Sequence, residues 1–395
     1  MMSIQQTITG VQDSIRQGRY RDALVTLPLI ALFLILMVLS LAIEDAGTLG
    51  EFLLAGGMVA PFVILALLAY LGEKNRFAKV AAVLWFLGIL LCTALITFLF
   101  ILGPAGAFSS DPDTVDAWVA SLPLAKIGIA FLVPFCAGLV CLLGFSRRFR
   151  GLLSRVIPID PDSFVHTIGL VTVMAFIIMP VLPLAVTGNA PFLDATLQDV
   201  LGIGTETPGS SVNTDTFTLI WTIIGSFFLV GLWVRQDLKG TLARLGLVRP
   251  TLRQVILAVA IGVALVGVFW VLDDLLTSIF SFAGITVTDE TMVNNLFVAS
   301  FAPLAAVIAA ISAGLGEELA VRGVVQPRFG IILAALLFAA LHAYQYAWDG
   351  VIGVLIAGLC FGVLRKYTNT STSAICHGTY DLVLFAIILA GLTTI

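Results

Sequence analysis

An all-α protein that crosses a membrane about eleven times is the fold class this sequence predicts. Three observations carry it. Of 395 residues, 59% are hydrophobic and only 11% are charged, against roughly a quarter charged in soluble domains. Mean hydropathy is +1.09, more apolar surface than a soluble core of this size can hide. The apolar residues also fall in runs long enough for a bilayer, which takes about 20 residues of helix, and the loops between them alternate in charge.

Taken in order, the runs lie near 23–43, 52–72, 78–103, 124–145, 164–186, 217–234, 255–277, 304–326, 330–347, 350–365 and 372–392. Every second loop is basic: Arg16, Arg19 and Arg21 precede the first run; Lys74, Arg76 and Lys79 follow the second; Arg147, Arg148, Arg150 and Arg155 follow the fourth. Arg235, Lys239, Arg244, Arg249 and Arg253 follow the sixth, Arg328 the eighth, and Arg365-Lys366 the tenth. The alternate loops carry Glu44-Asp45, then Asp111, Asp113 and Asp116, then Asp194, Asp199, Glu206 and Asp215. By the positive-inside rule the N-terminus is cytoplasmic and the C-terminus outside, in a multi-pass protein of the cell (plasma) membrane. Met1 to Arg21 is polar and precedes a full-length run, so the first helix reads as an uncleaved anchor.

The chain divides into three. Residues 1–235 form a six-span membrane block of unassigned role, 236–253 a basic cytoplasmic connector, and 254–395 a five-span core. In the connector, Leu238, Leu242, Leu245 and Leu247 suggest a short interfacial helix. The segment 187–216, rich in Gly, Pro, Ser and Thr, reads as an external loop. Cys92, Cys136, Cys141, Cys360 and Cys376 all lie in apolar stretches and read as packed thiols rather than a disulfide set. No basic stripe suits nucleic acid; the bilayer is the implied partner.

Polar chemistry concentrates in the last quarter. Ionisable side chains at membrane depth are costly and mark functional sites. Here they occur three times: Glu317, Glu318 and Arg322; Phe338 and His342; His377 and Asp381. Residues four apart share a helix face, which pairs Glu318 with Arg322 and His377 with Asp381 and leaves Glu317, about 100° away, to face a cavity. Counted from the basic loop at 327–330, Glu317 lies about 15 Å deep and His342 about 18 Å, with His377 some 6–12 Å from its own basic end. One chamber opening to the cytoplasm is therefore expected. A carboxylate and two imidazoles suit amide hydrolysis, either through a metal such as Zn2+ held by Glu317, His342 and His377 or with Glu317 and His342 holding the water directly. The sequence leaves both routes open. His166, at a span boundary, reads as interfacial, and Asp273-Asp274 as a helix-end pair meeting water.

The set Glu-Glu-x-x-x-Arg, Phe-x-x-x-His and His-x-x-x-Asp, with Leu-Gly-Leu-Val-Arg-Pro at 245–250, resembles the CPBP family, the CAAX prenyl endopeptidases and bacteriocin-processing or immunity (Abi) proteins. The resemblance covers about 245–395. It implies a CPBP-like helical core and an intramembrane endopeptidase, possessing or lacking a metal, that acts on membrane-associated or lipidated peptides or proteins. Glu317 would activate water with help from His342; His377 and Asp381 would form the oxyanion or metal-supporting side; Glu318, Arg322 and Phe338 would be structural. Prenyl-protein enzymes have Asn where this chain has Asp381, and an Asp gives a hydrogen bond only when protonated. Two other readings compete: a non-catalytic scaffold, immunity or regulatory protein of the same family, for which intact motifs are unnecessary, and a secondary transporter, for which inverted repeats are expected and none is seen.

Overall fold

The computed structural model describes residues 21–43 and 47–392, with side chains from residue 24 onward. The sequence expectations resting on Arg16, Arg19, the Arg21 side chain, the anchor reading of the first twenty residues and the Glu44-Asp45 pair lie outside that description.

The described residues are helical throughout, with no strand beyond one bridge between Leu232 and Gln236. In chain order the long elements are α1 (Arg21–Ala42), α2 (Thr48–Gly72), α3 (Arg76–Leu102), α4 (Leu124–Leu142), α5 (Phe164–Ile178), α6 (Val212–Leu229), the connector helix α7 (Leu238–Leu245) and α8 (Leu252–Phe282). They continue with α9 (Pro303–Ile311), α10 (Gln326–Leu341), α11 (Trp348–Tyr367) and α12 (Thr370–Leu389). Among the described residues ten helices are long and apolar enough to cross a membrane. The expectation of eleven differs because Pro303–Tyr344 is one 42-residue helical run, in which the eighth and ninth stretches meet at Gly330.

That run is not straight. Gly330 has φ 79° and ψ 175°, a backbone geometry glycine adopts at no steric cost. The Arg322 guanidinium lies 4.5 Å from the Phe338 ring centre, whereas sixteen residues of straight helix would separate them by about 24 Å. The chain therefore doubles back at Gly330, and its two arms pack side by side through Val321, Ala334 and Phe338.

In the N-terminal block α2 is the centre, packed against α1, α3, α5 and α6. Its interior is apolar: Phe86, Cys141, Ile168, Val171 and Met179 form one cluster and Phe33, Ile64, Leu67 and Phe228 another. Indole N–H groups tie neighbours to helix backbone, Trp85 to the Pro61 carbonyl and Trp221 to the Phe52 carbonyl, each at 2.9 Å. In the C-terminal core α12 is central, against α8, α9 and α11. The two blocks touch where α6 lies along residues 312–325 and α5 lies along α10.

The connector helix forms as expected, but it docks rather than floating at the interface. Leu245 is fully buried, Arg244 donates to the carbonyls of Gly323 (3.0 Å) and Val324 (3.3 Å), and the Thr370 hydroxyl donates to the Leu245 carbonyl. Burial, and then the positive charge of Arg328, lowers the Arg244 pKa to about 10. The cysteines are all free: Cys141 and Cys376 are buried, whereas Cys92, Cys136 and Cys360 point outward, so three of the five are not packed thiols. His166 sits at the start of α5, its Nδ1 accepting from the Asp160 backbone N–H at 2.8 Å. Asp273 and Asp274 do not end a helix: α8 continues to Phe282, and the Asp273 carboxylate lies against the backbone of Gly353. The segment 187–216 docks on residues 292–300 through Gln198, which bonds the Met292 carbonyl and Asn295, and through Gly209, which bonds the Ala299 carbonyl.

Candidate active site

The site grows from an irregular stretch. Between α9 and α10 the helix opens into two π-helical segments, Ser312–Glu317 and Leu319–Val325, with Glu318 between them. Turns of this kind are rare and cluster at functional sites. Here they carry Glu317, Glu318 and Arg322. The widened backbone is held from outside: a Cβ at Gly314 would stand 2.5 Å from the Gly378 nitrogen, so α12 meets this stretch backbone to backbone. His377 and Ser373, on the same helix as Gly378, are thereby brought against Glu318.

Glu318 and Arg322 are both fully buried. Their ion pair, expected from the i,i+4 spacing, is present at 3.4 Å. Glu318 does more than neutralise the arginine. Its Oε2 accepts from the Ser373 hydroxyl at 2.5 Å and its Oε1 lies 3.3 Å from His377 Nδ1. His377 Nε2 in turn lies 3.4 Å from Asp381 Oδ2, the second expected i,i+4 pair. Four side chains from two helices thus form one chain of charge: Arg322, Glu318, His377, Asp381. Arg322 also donates to the Gly358 carbonyl at 3.1 Å and is roofed by the Phe338 ring. A buried charge needs such company, because an unpaired one is costly.

His377 is clamped as well as bonded. Its ring stacks on Phe361 (4.5 Å, 21° between planes) and meets Phe338 edge-on at 5.9 Å. His342 flanks the other side of Phe338, with ring centres 4.8 Å apart. His342 Nδ1 lies 2.8 Å from the Phe338 carbonyl. A carbonyl only accepts, so Nδ1 carries the hydrogen and, in the neutral ring, Nε2 presents a lone pair. Glu317 is half-buried, within electrostatic range of His377 and Asp381, and no side-chain hydrogen bond engages it among the described residues. The sequence-predicted residues therefore fall in two groups. Glu318, Arg322, Phe338, His377 and Asp381 touch one another; Glu317 and His342 stand beside them with reactive atoms uncommitted.

The metal expectation fits less well. Among the described residues no three His, Cys, Asp or Glu side chains are grouped as a metal site. Both ring nitrogens of His377 face carboxylates of the protein, at 3.3 and 3.4 Å, rather than Glu317 or His342.

Sequence reasoning missed Ser373, Phe361 and Gly358. Ser373 had a signal, since it lies one helical turn before His377 on the same face. Phe361 and Gly358 had none, because their contacts run between helices.

No curated protein and no solved structure matches the chain. A family model does match, and it falls on the stretch that carries the two π segments, the Gly330 reversal and all three polar motifs. Residues 299–383 match the model of the Rce1-like type II CAAX prenyl endopeptidase family, consistent with the CPBP family that the motifs resemble.

Proposed function

We propose that this chain is an intramembrane endopeptidase that hydrolyses peptide bonds in membrane-associated or lipidated substrates. The Rce1-like family is a CAAX protease family, which supports the reaction class. The observation that carries the reading is the contrast within the site: an ionic chain that is buried but for the half-buried Asp381, and beside it a carboxylate and an imidazole nitrogen with no side-chain hydrogen-bond partner among the described residues.

Glu317 and His342 Nε2 hold the water. As its oxygen attacks the peptide carbonyl carbon, Glu317 takes the proton, and the proton passes to the leaving nitrogen as the C–N bond breaks. A carboxylic acid and an amine result, and Glu317 is again ionised. Such general-base assistance is worth about 10²–10⁴ in rate. The ionic chain holds the helices in register, with His377 and Asp381 on the side of the site where the resemblance puts the oxyanion. The carboxylates of Glu318 and Asp381, which face the two nitrogens of His377, favour the metal-free route. The basic loops mark the cytoplasmic end, so the N-terminus is inside and residues 1–235 form a separate block that presents substrate or a partner to the 254–395 core.

The test is hydrolysis of a quenched fluorescent peptide library, lipidated and not, by the purified full chain. Glu317→Gln and His342→Ala are expected to abolish cleavage while thermal unfolding is unchanged, and a strong zinc chelator is expected to leave the wild-type rate intact. Cleavage that survives Glu317→Gln rejects Glu317 as the base, a wild type that cleaves nothing favours the scaffold, and cleavage lost to chelator and restored by zinc rejects the metal-free route.

A further inference from the structure

We propose that the basic end of the bundle holds a binding site for the phosphate of an anionic phospholipid, built by Arg235, Arg244 and Arg328 where the two blocks meet. The three side chains come from distant parts of the chain: Arg235 from the turn after α6, Arg244 from α7, and Arg328 from the stretch after the π segments. Packing gathers them. Val230, Leu245 and Val324, each close in sequence to one of the arginines, belong to one apolar cluster. The Arg235 guanidinium lies over the Tyr70 ring, 5.3 Å from its centre, and the Tyr70 phenol is within electrostatic range of all three arginines. Arg244 donates to the Gly323 and Val324 carbonyls and keeps further N–H groups to offer. Arg235 and Arg328 are exposed.

No carboxylate balances these charges. Among the described residues none of the three arginines forms an ion pair. The acids on the facing turns are engaged elsewhere: Asp237 accepts from the Gly240 N–H at 2.8 Å, Asp160 from the Asp162 N–H at 2.9 Å, and Glu73 from the Ser163 hydroxyl and the Val165 N–H, each at 2.9 Å. Like charges gathered without a counter-charge repel one another, and the planar fork of a guanidinium matches the oxygens of a phosphate. The turn that carries Arg235 adds a second observation. Trp233 has φ 62°, the one positive φ outside glycine among the described residues. Such a conformation is unfavourable and is kept where the surroundings impose it, often at functional sites. The turn is pinned by the Trp233 N–H to the Gln236 carbonyl at 2.8 Å and by the Gln236 side chain to the Val230 carbonyl at 2.9 Å. The result is an indole 62% exposed, two residues from Arg235, at the end of the helices where tryptophan sits among lipid headgroups. Basic pockets between helices on the cytoplasmic side suit anionic headgroups, and the exposed indole favours a lipid over a free phosphate.

The experiment follows acyl-labelled phosphatidylglycerol by fluorescence anisotropy on the purified full chain in uncharged detergent. Unlabelled phosphatidylglycerol is expected to displace the probe, and phosphatidylcholine and inorganic phosphate to leave it bound. Arg235→Gln together with Arg328→Gln is expected to weaken binding about 30-fold, roughly fivefold for each arginine, with thermal unfolding in lipid-free detergent unchanged; Arg328→Gln alone is expected to give the single fivefold step. Arg76→Gln together with Arg148→Gln removes the same charge from exposed positions elsewhere at the basic end and is expected to change binding by less than about twofold. Equal weakening by the two pairs reduces the effect to general surface charge and overturns the site. Displacement by phosphatidylcholine overturns the anionic ligand, and displacement by inorganic phosphate replaces the lipid with a free anion. No arm of the experiment reads peptide cleavage, so its outcome is separate from that of the endopeptidase reading.

Discussion

The two membrane blocks solve the same burial problem with opposite materials. The N-terminal helices are joined by apolar clusters around Phe86 and Ile64, with indole and hydroxyl groups bonded to backbone carbonyls. The C-terminal core buries a guanidinium, a carboxylate and an imidazole in continuous contact, with the half-buried carboxylate of Asp381 at the end of the chain. Apolar packing suffices to assemble helices in lipid, as the first block demonstrates. The ionic chain is therefore not required for a helical bundle as such, and it lies within the matched residues 299–383.

Glu318→Ala strikes the contrast hardest. It strands the fully buried Arg322 and is expected to cost about 3–5 kcal/mol, with cleavage lost, as read by thermal unfolding and the peptide assay together. Phe86→Ala, in the apolar block, is expected to cost a similar energy, about 3–5 kcal/mol for a buried aromatic. Its mark is that the remaining folded protein keeps wild-type kcat; a fall in kcat would mean that the blocks are coupled more tightly than their contacts suggest. Gly314→Ala comes next. The added methyl would stand 2.5 Å from the Gly378 nitrogen, and overpacking of this kind costs about 1–3 kcal/mol. Because it separates α12 from the π segments, cleavage is expected to fall further than stability.

The smallest effect belongs to the loop before α5. The hydrogen bond and charge of Arg147, at 2.6 Å, lower the Asp162 pKa. A carboxyl depressed in the folded state adds stability above its unfolded pKa of about 3.9 and loses it as pH falls through the folded value. The pair is exposed to water, so Asp162→Asn is expected to leave unfolding at pH 7 almost unmoved, and to make the mutant and wild type indistinguishable once the pH falls below the folded-state pKa of Asp162.

Much of this architecture was legible from residue spacing. The i,i+4 rule found Glu318–Arg322 and His377–Asp381, because both pairs lie within a single helix. It missed the bond that joins them, since Glu318 and His377 are 59 residues apart and only the Gly314–Gly378 approach sets their distance. The π-helical turns were invisible for a related reason: the wider winding shows only in the packed structure, where α12 meets the stretch backbone to backbone at Gly314 and Gly378. The hydropathy ruler marked the reversal at Gly330 as a break between two runs. It failed for Asp273-Asp274, because a 31-residue helix is longer than the stretch the ruler expects.

The single carboxylate shared by Arg322, Ser373 and His377 narrows the routes by which such a protein can change. Losing any one member leaves the others as uncompensated polar groups in a dry interior, while exchanging all of them for well-fitted hydrocarbon is close to neutral. Descendants of this chain that abandon the chemistry should thus have shed the quartet as a block, and a lineage caught midway should be scarce.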